Sequence, residues 1–102
     1  MITDLMQRQQ PWRSEKYLKW IRTLPCSNCS EIALSEPHHL IGIAGLGVMG
    51  DKAGDQFAVP LCRKCHEDLH ALKVPLNDQW RWMKKTIERA FNQGIVGIIN
   101  HP

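Results

Sequence analysis

No stretch of this chain approaches the roughly 20 apolar residues that span a bilayer. The first ten residues are polar and hold no apolar run ahead of a small-residue cleavage site. These absences point to a cytoplasmic protein, where thiols stay reduced. There is no internal repeat and no low-complexity tail, so a solenoid or a disordered polar arm is not expected. At 102 residues the chain is one domain at most, with a small core. The formal charge of +3 permits a nucleic-acid partner without requiring one. Cysteine is sparse too, and all four lie in two CxxC pairs. In a reduced compartment such pairs bind metal more often than they form disulfides.

The organising stretch is residues 60–70, PLCRKCHEDLH, with two cysteines and two histidines in nine positions. Read as a helix from Cys62, it puts Cys62, Cys65, Leu69 and Leu72 on one side and His66 and His70 one turn apart on the next. Arg63 falls beside the histidines and Glu67 further round toward water. The cysteines call for two more soft ligands, and Cys26 and Cys29 in PCSNCS supply them. Two spaced thiolate pairs match a closed, tetrahedral structural zinc site. Redox pairs or plain buried thiols are the competing explanation. A domain this small gains stability from the metal.

Along the chain, residues 1–13 read as a flexible N-terminal segment and residues 14–102 as one domain. Ser14 can cap a helix to about Arg22, ended by Pro25. Residues 38–43, HHLIGI, read as a strand, so His38 and His39 point to opposite faces. A loop with four glycines follows over residues 44–55, then a second strand over residues 57–59 that enters the central helix. Pro75 breaks that helix, and Asn77 or Asp78 can cap another over about residues 78–92. Its expected core stripe is Trp80, Met83, Ile87, Ala90 and Phe91, with Trp82 among the basic residues. Residues 94–99 are apolar and could form a tail strand or a packed coil.

HEDLH also matches the HExxH pattern of zinc proteases. Its context fails: downstream there is no histidine but His101 and no acidic residue after Asp78 but Glu88. The better partners are upstream. A strand carrying His38 can bring it to His66 and His70, and three imidazoles hold a divalent ion with positions left open. His39, on the other face, can accept a proton from an attacking water. An adjacent histidine pair taken alone is more often a surface or hydrogen-bonded core feature; the HxxxH on the helix shifts that balance.

Taken together, CxxC at residues 25–29, the histidine-rich strand at 36–42, the glycine-bearing loop at 45–55 and the strand-to-helix PLCxxCHxxxH at 57–70 resemble the HNH, or His-Me finger, endonucleases. The resemblance is greatest to the small phage and prophage proteins of the recombination-enhancement type. It covers about residues 17–72 and implies an α+β, zinc-stapled ββα-metal domain (core about 36–72) with flanking N- and C-terminal helices. The implied activity is metal-dependent hydrolysis of DNA phosphodiester bonds, and the implied setting is phage or prophage recombination. It implies structural Zn²⁺ on Cys26, Cys29, Cys62 and Cys65 and a catalytic Mg²⁺, Mn²⁺, Ni²⁺ or Zn²⁺ on His38, His66 and His70. His39 takes the place of the general base, and a one-residue shift of the strand register would exchange the roles of His38 and His39. The middle asparagine of the family pattern is missing, and Asp55, Gln56 or Phe57 occupies its region, so Asp55 or Gln56 is left to orient His39.

Backbone cleavage needs cations on the strand. Arg63 is the first candidate, also as a catalytic phosphate clamp, and Lys52 the second. Arg81, Lys84, Lys85 and Arg89 could track phosphates along the last helix, against the plain reading of a solvated face. The expected partner is DNA, with no membrane and no organic cofactor. The rival function is a non-catalytic zinc module that binds nucleic acid, which leaves the histidines unexplained.

Overall fold

The computed structural model describes residues 11–32, 34–43 and 53–95. They form three helices and a two-stranded sheet: α1 (Glu15–Arg22), β1 (Glu36–His39), a 3₁₀ turn (Asp55–Phe57), β2 (Ala58–Leu61), α2 (Arg63–His70) and α3 (Asp78–Asn92). The fold is therefore small, mixed α+β. No helix among the described residues is long and apolar enough to cross a membrane. Residues 1–10, 44–52 and 96–102 lie outside the described residues, and with them Lys52, most of the glycine loop and most of the apolar tail.

Ser14 opens α1 by accepting the Tyr17 amide on its hydroxyl, and Glu15 at the start with Lys19 and Arg22 at the end suits the helix dipole. Its buried side, Tyr17 and Ile21, packs with Leu24 and Ala90, and Trp12, Trp20 and Ile95 close over them. The N-terminal segment is tied down at its end: Arg13 Nη1 donates to the Ala53 carbonyl at 2.6 Å, and the Asp55 amide donates to the Trp12 carbonyl at 2.8 Å.

The strands run antiparallel, pairing Glu36 with Leu61, Pro37 with Pro60, His38 with Val59 and His39 with Ala58. The Leu40 amide continues the ladder to the Phe57 carbonyl. By the alternation of an antiparallel ladder, Pro37 and Pro60 then face each other where no inter-strand amide bond is due, so neither missing N–H is felt. The Pro60 carbonyl turns outward and accepts the Ser27 amide at 2.9 Å, which docks the first cysteine turn onto β2.

The first strand starts and ends earlier than expected. Beyond His39 the backbone is completed by a side chain from α3: Gln79 Oε1 accepts the Ile41 amide and Gln79 Nε2 donates to the Ile41 carbonyl. Gly42 then turns at φ 66°, where a Cβ would lie 2.9 Å from Leu76 Cδ1. The second strand is also shifted, with Phe57 in the 3₁₀ turn and Pro60 and Leu61 inside the strand.

Two further expectations are corrected. Helix α2 begins at Arg63, with Cys62 as its cap, and ends at His70; Leu72 sits at φ 60° and is exposed rather than on the cysteine side. In α3 the buried residues are Gln79, Trp82, Thr86 and Ala90. Trp82 is 1% exposed, while Trp80 and Phe91, expected inside, are 50% and 65% exposed. The two stripes are neighbouring faces of one helix. The observed one seats Gln79 against β1 and puts Trp82 in the main core with Leu40, Ile43, Val59, Leu61 and Leu69.

Candidate metal centres and catalytic site

The cysteine turn after α1 and the start of α2 meet at the edge of the main core. Ligand atoms of Cys26, Cys29, Cys62 and Cys65 all lie within 4.8 Å of one another, and the sulfurs of Cys29 and Cys62 are 3.7 Å apart. Cys62 Sγ accepts the Cys65 amide at 3.5 Å, and Asn28 Nδ2 donates to Cys65 Sγ at 3.4 Å. Burial works against ionisation of Cys26, but the amide hydrogen bonds around it prevail and lower its pKa to about 7. Cys65 goes the other way, pushed up by burial to about 12. Four thiols this close cannot all ionise without a shared cation. The donor set, two exposed or half-buried and two buried sulfurs on a turn and a helix start, is that of a structural zinc site.

A second cluster lies along α2. His38 from β1 and His66 and His70 from α2 offer ligand atoms within 4.8 Å of one another. Ring centroids are 4.9 Å apart for His38 and His66, 5.5 Å for His38 and His70, and 5.0 Å for His66 and His70. His38 is buried, which pushes its pKa down to about 4 and keeps the ring neutral, as a metal ligand must be. His66 Nδ1 meets Glu36 Oε1 at 2.9 Å, and the other carboxylate oxygen accepts from Arg63 Nη2 at 2.7 Å. The hydrogen bond from His66, with Arg63 beyond it, holds Glu36 below the usual carboxylate range. Glu36, Arg63, His66, Glu67 and His70 line a cleft of about 450 Å³.

His39 is on the other face of β1. Its Nε2 lies 2.8 Å from Asp55 Oδ1. Asp55 also accepts from Arg13 Nη1 at 3.2 Å and from the Ser14 amide at 2.7 Å. Burial alone would raise the Asp55 pKa; the hydrogen bonds from His39, Ser14 and Arg13 outweigh it and hold the carboxyl below its ordinary value. A His39 that donates from Nε2 to this carboxylate carries its lone pair on Nδ1. Asp55 contacts His39 directly; the Gln56 carboxamide oxygen is buried without a partner among the described residues.

The basic residues of α3 are dispersed. Arg81 pairs with Asp78 at 3.4 Å and Lys84 with Glu88 at 3.5 Å. Lys85 and Arg89 instead flank a smaller hollow of about 170 Å³ beside Cys26, Ser27 and Ser30. Glu36, Gln79 and Arg13 were not legible as site residues. The only sequence signal for Gln79 is a polar residue one turn before Trp82, on a face that the competing apolar stripe disguised.

The family described as "Protein of unknown function (DUF968)" matches residues 5–94. A protein of Escherichia coli (strain K12), "Uncharacterized protein YdfU", is 39% identical over 95 residues, which is 92% of this chain and 27% of that protein. The chain thus spans about a quarter of that relative's length. No solved structure matches it.

Proposed function

We propose that this chain, which belongs to the DUF968 family, is a metal-dependent endonuclease that hydrolyses DNA phosphodiester bonds. One observation carries the reading. Two adjacent residues of one short strand are divided between two sites, His38 to the histidine cluster and His39 to Asp55. A plain zinc module has no use for either arrangement.

A divalent ion held by His38, His66 and His70 would supply charge stabilisation at the scissile phosphate and leaving oxygen. The rest falls to the chain. Asp55, ionised and fixed by Ser14 and Arg13, orients the His39 ring and stabilises its protonated form. His39 Nδ1 takes the proton of the water that attacks phosphorus. Arg63, on the rim of the cleft with 74% of its side chain exposed, reaches a neighbouring phosphate by exchanging Glu36 for it. The products are 5′-phosphate and 3′-hydroxyl ends. The four cysteines staple the fold, and Lys85 and Arg89 carry the backbone of the strand. A setting in phage or prophage recombination agrees with the resemblance in sequence.

The test is cleavage of supercoiled plasmid by purified protein with magnesium, manganese, nickel or zinc. His39→Ala should bind DNA as the wild type does and cut about 10²–10⁴-fold more slowly. Equal cutting by both proteins would remove His39 from the mechanism. Tight DNA binding with no cutting under any ion would favour the non-catalytic zinc module.

A further inference from the structure

Gln79 stands at the second position of α3, outside every motif described above, and its side chain is wholly buried. Its amide makes four hydrogen bonds. Nε2 donates to the carbonyls of Ile41 at 2.8 Å and Leu76 at 2.9 Å. Oε1 accepts the Ile41 amide at 3.0 Å and faces His38 Nε2 at 2.9 Å.

This set fixes more than a position. Two backbone carbonyls can be bonded only by the NH₂ end of the amide, and a backbone N–H can be bonded only by its oxygen. The orientation of Gln79 is therefore decided three times over, independently of His38. The oxygen has no proton to give, so the hydrogen bond to His38 exists only if His38 Nε2 carries the proton. A neutral imidazole with Nε2–H has its lone pair on Nδ1. His66 is set the opposite way: its Nδ1 faces the Glu36 carboxylate, which leaves the lone pair on Nε2.

We propose that Gln79 is a positioning residue that selects the Nε2–H tautomer of His38, so that the histidine cluster takes a divalent ion through His38 Nδ1 and His66 Nε2. Gln79 touches neither ion nor substrate; it acts through His38. The proposal rests on the reading that the three histidines hold an ion. It adds which atoms do so and which helix sets them. It also gives α3 a part in the site beyond packing, because the one side chain that completes the backbone at Ile41 also orients the buried ligand.

The test has two arms on the zinc-containing full chain. Long-range ¹⁵N–¹H spectra without added metal should show His38 as Nε2–H and His66 as Nδ1–H. His38 as Nδ1–H, or as a mixture, overturns the proposal. Calorimetric titration with Ni²⁺ then compares the wild type with Gln79→Leu and Gln79→Glu. Gln79→Leu should bind about 10–100-fold more weakly, the usual cost of losing a partner behind a ligating histidine. Gln79→Glu keeps an oxygen toward His38 but loses both donated bonds, so it should melt lower and yet recover most of the affinity. A purely structural Gln79 predicts that the folded glutamate variant also binds Ni²⁺ about 10–100-fold more weakly than the wild type, and that result overturns the proposal even if Gln79→Leu fails to fold. A wild type that binds no Ni²⁺ overturns the ion site itself. A wild type and a folded Gln79→Leu that bind equally overturn only the part given to Gln79.

Discussion

Burial pushes the pKa of His38 from an ordinary 6.5 to about 4, with Gln79 pulling upward and the neighbouring His66, His70 and His39 adding to the decrease. The folded chain keeps this ring neutral over a range in which the unfolded chain protonates it. Between those two values the unfolded state binds more protons, so stability falls as pH falls, and below about 4 this group costs nothing further. Without added divalent ion, the wild type should therefore lose stability between about pH 6.5 and about pH 4.5 more steeply than His38→Phe, which has no ring to protonate. Urea midpoints measured across that window check it, and parallel curves would assign the acid sensitivity elsewhere. Asp55 does not confuse the comparison, since its pKa lies below the ordinary 3.8 and its contribution is lost only in stronger acid.

Helix α3 presents two candidate faces to the core, and the chain buries the one with a glutamine and a threonine on it. The Thr86 hydroxyl bonds back to the Trp82 carbonyl at 2.9 Å, and Gln79 is satisfied by β1 and Leu76, so neither polar group is stranded. Trp82 Nε1 is buried without a partner among the described residues, a cost set against the large apolar area of the ring. Trp82→Ala should destabilise the domain by about 3–5 kcal/mol, as truncation of a core aromatic does. Trp80→Ala, at 50% exposure, should cost no more than about 1 kcal/mol. Denaturant midpoints of the two variants decide between the faces, and the reverse ranking would mean that the helix is turned the other way.

Among the described residues, the long-range ties that hold the molecule together include a two-stranded sheet, a divided core and the cysteine cluster that joins the end of α1 to the start of α2. A two-stranded sheet is barely stable alone. Binding energy for a structural zinc is folding energy in a domain of this size. A strong chelator should therefore abolish the cooperative melt and the protected core amides, and stoichiometric zinc should restore both. Cys65→Ser should already be largely unfolded at ordinary temperature. Hydrogen exchange of the chelated protein is the direct measurement, and an intact protected core after zinc removal would show that packing alone suffices.

The cysteine cluster and the histidine cluster were legible in the sequence, because CxxC and HxxxH spacings are local and each follows from the period of a turn or a helix. The opposite directions of His38 and His39 followed from strand alternation. So did the existence of α1, α2 and α3, from Ser14, Pro25, Pro75 and Gly94. The tertiary structure alone decided the face that α3 buries, the residue that holds His39, and the tie of Arg13 to Asp55. Each joins residues about 16 to 42 positions apart. Spacing carries no information at that range. What settles them is that nearly every buried polar group finds a partner, and only the packed chain determines which partner is within reach.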